Sequence, residues 1–140
     1  MALIELAGRQ GVTPIRDIAG RRRIPACFLA KLIPPLVRAG ILSSMRGKNG
    51  GVYFERNPRN VSLADVVRVI EGEGYFSQCI FDVEPFPGTP DCPLSKVWEP
   101  IRQQIIRFLE ETSIKFLADK MAAAKQEPVR QSLSKERKDG

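Results

Sequence analysis

Apolar residues along this chain recur at helical spacing in several segments and at strand-like spacing in one. Leu3, Ile4, Leu6 and Ala7 read as the tail of a helix, and residues 8–12 break the pattern. Thr13-Pro14 marks a helix start, with a capping hydroxyl and proline at the first helical position. The helix over residues 14–19 then carries Ile15, Ile18 and Ala19 on one face. Gly20-Arg21-Arg22-Arg23 reads as a turn. Ile24, Phe28, Leu29, Leu32, Ile33, Leu36 and Val37 form the inward stripe of a helix over residues 24–39. That leaves Arg23, Ala26, Cys27, Ala30 and Lys31 facing outward. The interior pair Pro34-Pro35 predicts a kink or a 3₁₀ turn near Lys31.

Ala39-Gly40 is a helix stop, since glycine accepts the left-handed conformation that closes a last turn. Residues 41–46 then read as a short strand, 47–51 as a glycine-rich turn open to positive φ, and 52–55 as the returning strand. The hairpin tip is basic, with Arg46 and Lys48. A basic hairpin directly after an amphipathic helix suggests the wing of a winged helix-turn-helix; an ordinary hairpin with a solvated turn is the alternative.

Residues 57–60 form a further turn. Ser62 caps the next helix, with Asp65 three residues on completing a capping box. Val66, Val67, Val69 and Ile70 make it a buried helix that stops at Gly72. Residues 75–92 change character: the prolines and the glycine between Cys79 and Cys92 forbid a continuous helix or a central strand. From Pro93 a long helical pattern places Val97, Ile101, Ile105, Phe108 and Leu109 on a narrow stripe, bent near Pro100 and interrupted at Thr112-Ser113. Ile114, Phe116 and Leu117 continue it. So narrow an apolar stripe on a charged helix seeks a partner. Residues 121–140 are polar and read as a disordered tail.

Composition narrows the function classes. With 43% hydrophobic and 27% charged residues over 140 positions, the chain suits a folded soluble domain. It has no transmembrane run and no secretory leader, which predicts a cytoplasmic protein with no membrane partner. Its net charge of +6 is uneven. Residues 1–74 hold 12 Lys or Arg against 6 Asp or Glu, whereas residues 75–120 hold 5 against 7. The excess lies where a phosphate-binding surface needs it. The absence of histidine removes the commonest acid–base, nucleophile-activating and metal-ligating side chain. No catalytic constellation replaces it, so an enzyme is not expected.

Three stretches together resemble the Rrf-two family of bacterial winged-helix regulators, of the IscR/NsrR type. They are I-P-A-C-F-L-A-K-L-I-P-P-L-V-R-A-G-I-L-S-S-M-R-G-K-N-G-G-V-Y-F, N-V-S-L-A-D-V-V-R-V-I-E-G and C-P-L-S-K-V-W-E-P-I. The R-G-x-x-G-G wing at residues 46–51 is the most specific of these features. The resemblance implies a mainly α fold with a β-hairpin wing: a winged helix-turn-helix over residues 1–74, a cysteine-bounded sensor loop over 75–92 and a dimerisation helix over 93–120. It further implies a homodimer that binds double-stranded DNA and regulates transcription as a repressor, with no protein substrate. The DNA contacts would come from Arg23, Pro25, Ala26, Cys27, Ala30 and Lys31 in the second helix of the motif, and from Arg46, Lys48 and Asn49 in the wing. Family members begin further upstream, so Met1 falls within the first helix.

Cluster-binding members of the family carry three cysteines before the dimerisation helix. Cys79 and Cys92 match the first and last, and E-P-F-P-G stands where the middle one is expected. A [2Fe–2S] iron–sulfur cluster on Cys79 and Cys92 would therefore need further ligands, such as Asp82, Glu84 or Asp91, or a second subunit. A transient Cys79–Cys92 disulfide switch and two plain reduced thiols are the alternatives. Cys27 packs or touches DNA on this reading. Tyr75 and Trp98 could line a pocket, although core packing suits them better. A winged-helix module that binds a protein partner, and a thiol redox sensor without a cluster, remain as rival functions.

Overall fold

The computed structural model describes residues 1–77 and 93–136. Helix α1 spans Ala2–Ala7, α2 spans Ile15–Arg22 and α3 spans Ala26–Arg38. Strands β1 (Leu42–Met45) and β2 (Gly51–Phe54) make the hairpin, and a 3₁₀ turn at Pro58–Asn60 leads to α4 (Leu63–Glu71). A second 3₁₀ segment, Glu73–Ser77, precedes the undescribed residues, after which come α5 (Ser95–Glu111) and α6 (Ile114–Glu136). The first residues of the expected sensor loop, 75–77, belong to this 3₁₀ segment, and the rest of it, with Cys79 and Cys92, lies outside the described residues. No described helix is long and apolar enough to cross a membrane.

One core joins the two ends of the chain. Ile4, Leu6, Ile18, Leu29, Leu36, Ile41, Leu42, Val52 and Val61 are buried together, and Ile114 and Ala118 of α6 complete the cluster. Burying apolar surface on this scale is the main favourable term of the fold. α6 is therefore a core element packed on α1, and a helix separate from α5. The junction explains the change of direction. Thr112 is extended, its hydroxyl donates to the Phe108 carbonyl at 2.6 Å, and the Ser113 hydroxyl accepts from the Phe116 amide at 3.1 Å as an N-cap. The Leu63 amide donates to Thr112, and the Ile114 amide to Val61, both at 2.9 Å, which fastens the start of α6 beside the start of α4.

Several expectations are met closely and others are corrected. Ser62 and Asp65 form the capping box reciprocally, each bond 3.0 Å long, and Gly72 closes α4 at φ 90°. α4 is half-buried along Val66, Val67, Val69 and Ile70, with only Ala64 fully inside. Ala64 takes the innermost position, and its larger neighbours flank it. α5 begins at Ser95, not at Pro93. Helix α3 is α-helical across Pro34-Pro35, so of the kink or 3₁₀ turn expected there the 3₁₀ turn is absent. The two missing amides deprive the carbonyls of Ala30 and Lys31, and both residues are exposed, so water can serve them. The segment after residue 120 continues α6 to Glu136, where a disordered tail is expected. Met121-Ala122-Ala123-Ala124-Lys125 has high helical propensity, and α6 is already nucleated on the core at Ile114 and Ala118.

Candidate nucleic-acid interface

Helices α2 and α3 form a helix-turn-helix whose turn lies later than the sequence suggests. Gly20, Arg21 and Arg22 belong to α2, and the chain turns at Arg23, which adopts φ 51° and ψ 39°. Arg23 is the only non-glycine residue with positive φ among those described. The Ile24 amide reaches back to the Ala19 carbonyl at 3.0 Å, the closure typical of a left-handed helix cap. Ile24 and Ala19 both pack at the core, which supplies the apolar contact such a cap uses. An L-residue in this conformation costs about 1–2 kcal/mol relative to glycine, and here it puts a guanidinium at the entrance to α3.

Pro25 precedes α3 as its N-cap residue, and its carbonyl accepts from Phe28 and Leu29 at 3.0 and 3.2 Å. Leu29 and Leu36, two helical turns apart, point into the core. Phe28, one step round the helix, is 53% exposed, which corrects its expected inward position. Arg23, Pro25, Ala26, Cys27, Ala30 and Lys31 are all exposed, as the period of the helix implies.

The wing is anchored from outside the hairpin. Leu42 pairs with Phe54, Ser43 with Tyr53, Ser44 with Val52 and Met45 with Gly51. Thr13 pairs with Val52 on the other side, through two backbone bonds of 2.9 Å. Thr13 is thus buried in a bridge instead of capping α2, whose N-cap is Pro14. This bridge also explains Gly51. Its φ is unremarkable, but a Cβ there would lie 2.2 Å from the Thr13 carbonyl oxygen and 2.7 Å from the Pro14 nitrogen. Gly50 is tight for a similar reason, since a Cβ would lie 2.3 Å from the Met45 carbonyl oxygen. Of the turn glycines only Gly47 uses positive φ, at 112°. Gly50 and Gly51 therefore provide room, not the conformational freedom expected of them.

Arg46, Lys48 and Asn49 are exposed at the wing tip. Arg23, Lys31, Arg46 and Lys48 take part in none of the ion pairs among the described residues. Four unpaired cations therefore sit on two elements held in fixed relation: the wing is tied to Thr13, the segment that enters α2, and α2 is locked to α3 by the Arg23 turn. Exposed cations of this kind can hold phosphates, and the small side chains Ala26, Cys27 and Ala30 leave room beside α3 for a close-lying partner. The role of Thr13 was not legible, because its partner is far along the chain.

α4, the Glu73–Ser77 turn and α5 are cross-linked. Arg68 pairs with Glu110 at 2.5 Å and lies 5.4 Å from the centre of the Phe76 ring. Arg102 donates to the Phe76 carbonyl at 2.9 Å. Tyr75 is exposed and stacks edge-on against Phe76, and Trp98 is half-buried on α5. Leu94, Val97, Ile101, Ile105 and Phe108 remain exposed along α5.

The pattern that defines the Rrf2 family, described as an iron-dependent transcriptional regulator, matches residues 1–120. The HTH-type transcriptional regulator CymR of Bacillus subtilis is 30% identical over 118 residues, covering 83% of this chain and 80% of that protein. The solved structure of CymR, described as the global cysteine regulator of B. subtilis, superposes with a TM-score of 0.68, covering 84% of this chain and 87% of that one. The structure of T. potens IscR gives 0.68 at 27% identity, covering 88% of this chain and 82% of that one.

Proposed function

The chain belongs to the Rrf2 family of DNA-binding transcriptional regulators, and from that premise we propose that it acts as a homodimeric repressor. In this reading it grips its operator through the outward edge of α3 and through the wing. The supporting observation is the set of four exposed, unpaired cations on two mutually braced elements. Arg23, Lys31, Arg46 and Lys48 hold phosphates and set the register. Pro25, Ala26, Cys27 and Ala30 meet base edges, and Asn49 enters the groove with the wing.

α5 supports the dimer. Its apolar positions recur at three and four residues, and they stand in water: Val97 is 67% exposed and Phe108 60% exposed. An apolar stripe of this spacing is the seam of a helix pair, and a second copy offers the same stripe to it. Two copies related by a twofold axis would present two α3 helices to successive major grooves.

The donor set does not fit an iron–sulfur cluster built from one chain's cysteines. A cluster takes four ligands, yet the chain has three cysteines and no histidine. Cys27 is exposed on α3, and Cys79 and Cys92 lie outside the described residues, so a cluster there would need acidic side chains or a second copy for its remaining ligands. We propose instead a thiol-based signal at Cys79 and Cys92, which needs no ligand beyond the two thiols. Iron and sulfide analysis after anaerobic purification tests this; stoichiometric iron would reverse it.

The central test is selection of bound duplexes from a random library, followed by affinity measurement against salt. The expected product is a site with dyad symmetry. Lys48→Gln and Arg46→Gln should each reduce the slope of log affinity against log salt by roughly 0.9. No enrichment, or binding indifferent to salt, would refute the reading. Phe108→Glu should convert the dimer to monomer in sedimentation.

A further inference from the structure

A cleft of about 290 Å³ lies between α1, the end of α2 and the 118–125 stretch of α6. Its lining is of two kinds. Ile4, Ala118, Met121 and Ala122 are apolar, whereas Arg9, Arg22 and Lys125 bring three cations against a single acid, Glu5.

Glu5 cannot balance this charge. It accepts from Arg9 Nη2 at 3.3 Å, and it lies 2.9 Å from Arg22 Nη2 and 3.9 Å from Arg21 Nη1. One carboxylate thus serves three guanidiniums already, and Lys125 takes part in no ion pair among the described residues. Arg22 also keeps its Nε buried without an acceptor. A buried donor left unmade is destabilising, and it calls for a water, an ion or a bound group at the site. The volume falls near the lower end of small-molecule pockets, roughly 300 Å³.

We propose that this cleft binds a small organic carboxylate. Its anionic head would lie against Arg22 and Lys125, and its short alkyl body against Ile4, Ala118 and Met121. An inorganic anion would leave the apolar lining wet, and a neutral lipid would leave the cations unanswered. Arg22 is the last residue of α2, and the next residue is the left-handed Arg23 at the entrance to α3. A ligand that holds Arg22 therefore acts on the element that carries the DNA surface, and by linkage DNA would alter its affinity in turn. That consequence, though not the binding itself, rests on the function proposed above.

The test is a methyl-detected NMR titration of the full chain with sodium hexanoate, run without DNA, with hexanamide as the uncharged control. Hexanoate should cause saturable shifts at Ile4, Ala118 and Met121, and hexanamide should not. Lys125→Gln, at an exposed position, should keep the spectrum of the fold and weaken hexanoate binding about tenfold. Absence of saturable shifts at those methyls, equal binding of hexanamide, or unchanged affinity in Lys125→Gln would each overturn the proposal. Because the titration contains no DNA, its failure leaves the DNA-binding reading standing, and a failed duplex selection leaves the cleft standing.

Discussion

Replacing Gly51 with alanine tests the claim that the wing depends on space at one backbone contact. The new Cβ would lie 2.2 Å from the Thr13 carbonyl oxygen, 2.4 Å from its carbon and 2.7 Å from the Pro14 nitrogen. All three are backbone atoms, so no side chain can rotate away. Relief requires β2 and the Thr13 segment to separate by about 1 Å, which stretches both Thr13–Val52 bonds beyond useful length. Each such bond contributes about 0.5–1.5 kcal/mol, and forcing atoms into a packed site typically costs about 1–3 kcal/mol. Val52, 1% exposed, also loses part of its packing. The expected loss is about 2–4 kcal/mol, a large share of the stability of a domain this size.

Urea denaturation followed by circular dichroism gives the energy, and hydrogen exchange at the Thr13 and Val52 amides locates it. The control is Gly20→Ala. Gly20 lies inside α2, and a Cβ there meets nothing within 4 Å. It should stabilise the protein by about 0.5–1 kcal/mol. If Gly51→Ala stayed within about 0.5 kcal/mol of the parent with both amides still protected, the steric argument would be wrong.

Arg23→Gly should relieve the left-handed turn and raise stability by about 1 kcal/mol, while lowering DNA affinity and its salt dependence; a loss of stability would show that the side chain holds the turn. Ser62→Ala removes the 3.0 Å bond from the Asp65 amide and should cost about 1 kcal/mol in thermal unfolding. Hydrogen bonds from Gln103 and Arg102 hold the Glu99 carboxyl below the usual carboxylate range. Its small contribution is therefore present above the unfolded value of about 4.3 and fades as pH falls through the lower folded value. Parent and Glu99→Gln should thus differ near neutrality and converge in acid, as measured by pH-dependent melting.

What could be read from the sequence divides by range along the chain. The capping box of α4, the stop at Gly72 and the hairpin are set by residues a few positions apart, and each was legible. The end of α2 was misplaced because Gly20 looks like a breaker, whereas the actual turn falls on Arg23, a residue whose propensity gives no hint of φ 51°. The break at Thr112-Ser113 was visible, but its consequence was not: only the pairing of Ile114 with Val61 shows that the chain returns to the core. The helical continuation past residue 120 was read as tail because its residues are polar, yet its alanines extend a helix already anchored at Ala118.

The same division governs the functional surface. Ala26, Cys27, Ala30 and Lys31 emerge exposed because one helical period decides which side of α3 faces out, and Arg23 because it stands in the turn before it. Arg46, Lys48 and Asn49 emerge exposed because a two-stranded hairpin has only its tip to offer them. What aligns these two groups is long-range: Thr13 bonded to Val52, and Gly51 kept bare so that the bond can form. The cleft is long-range too, since Arg9, Arg22 and Lys125 come from three separate parts of the chain. Local sequence therefore supplies the groups proposed to meet DNA, and distant backbone contacts supply the geometry that would let them do so together. Substitutions at Lys48 should accordingly weaken binding while leaving the fold intact, whereas substitutions at Gly51 should weaken both, and that contrast separates the contact from its support.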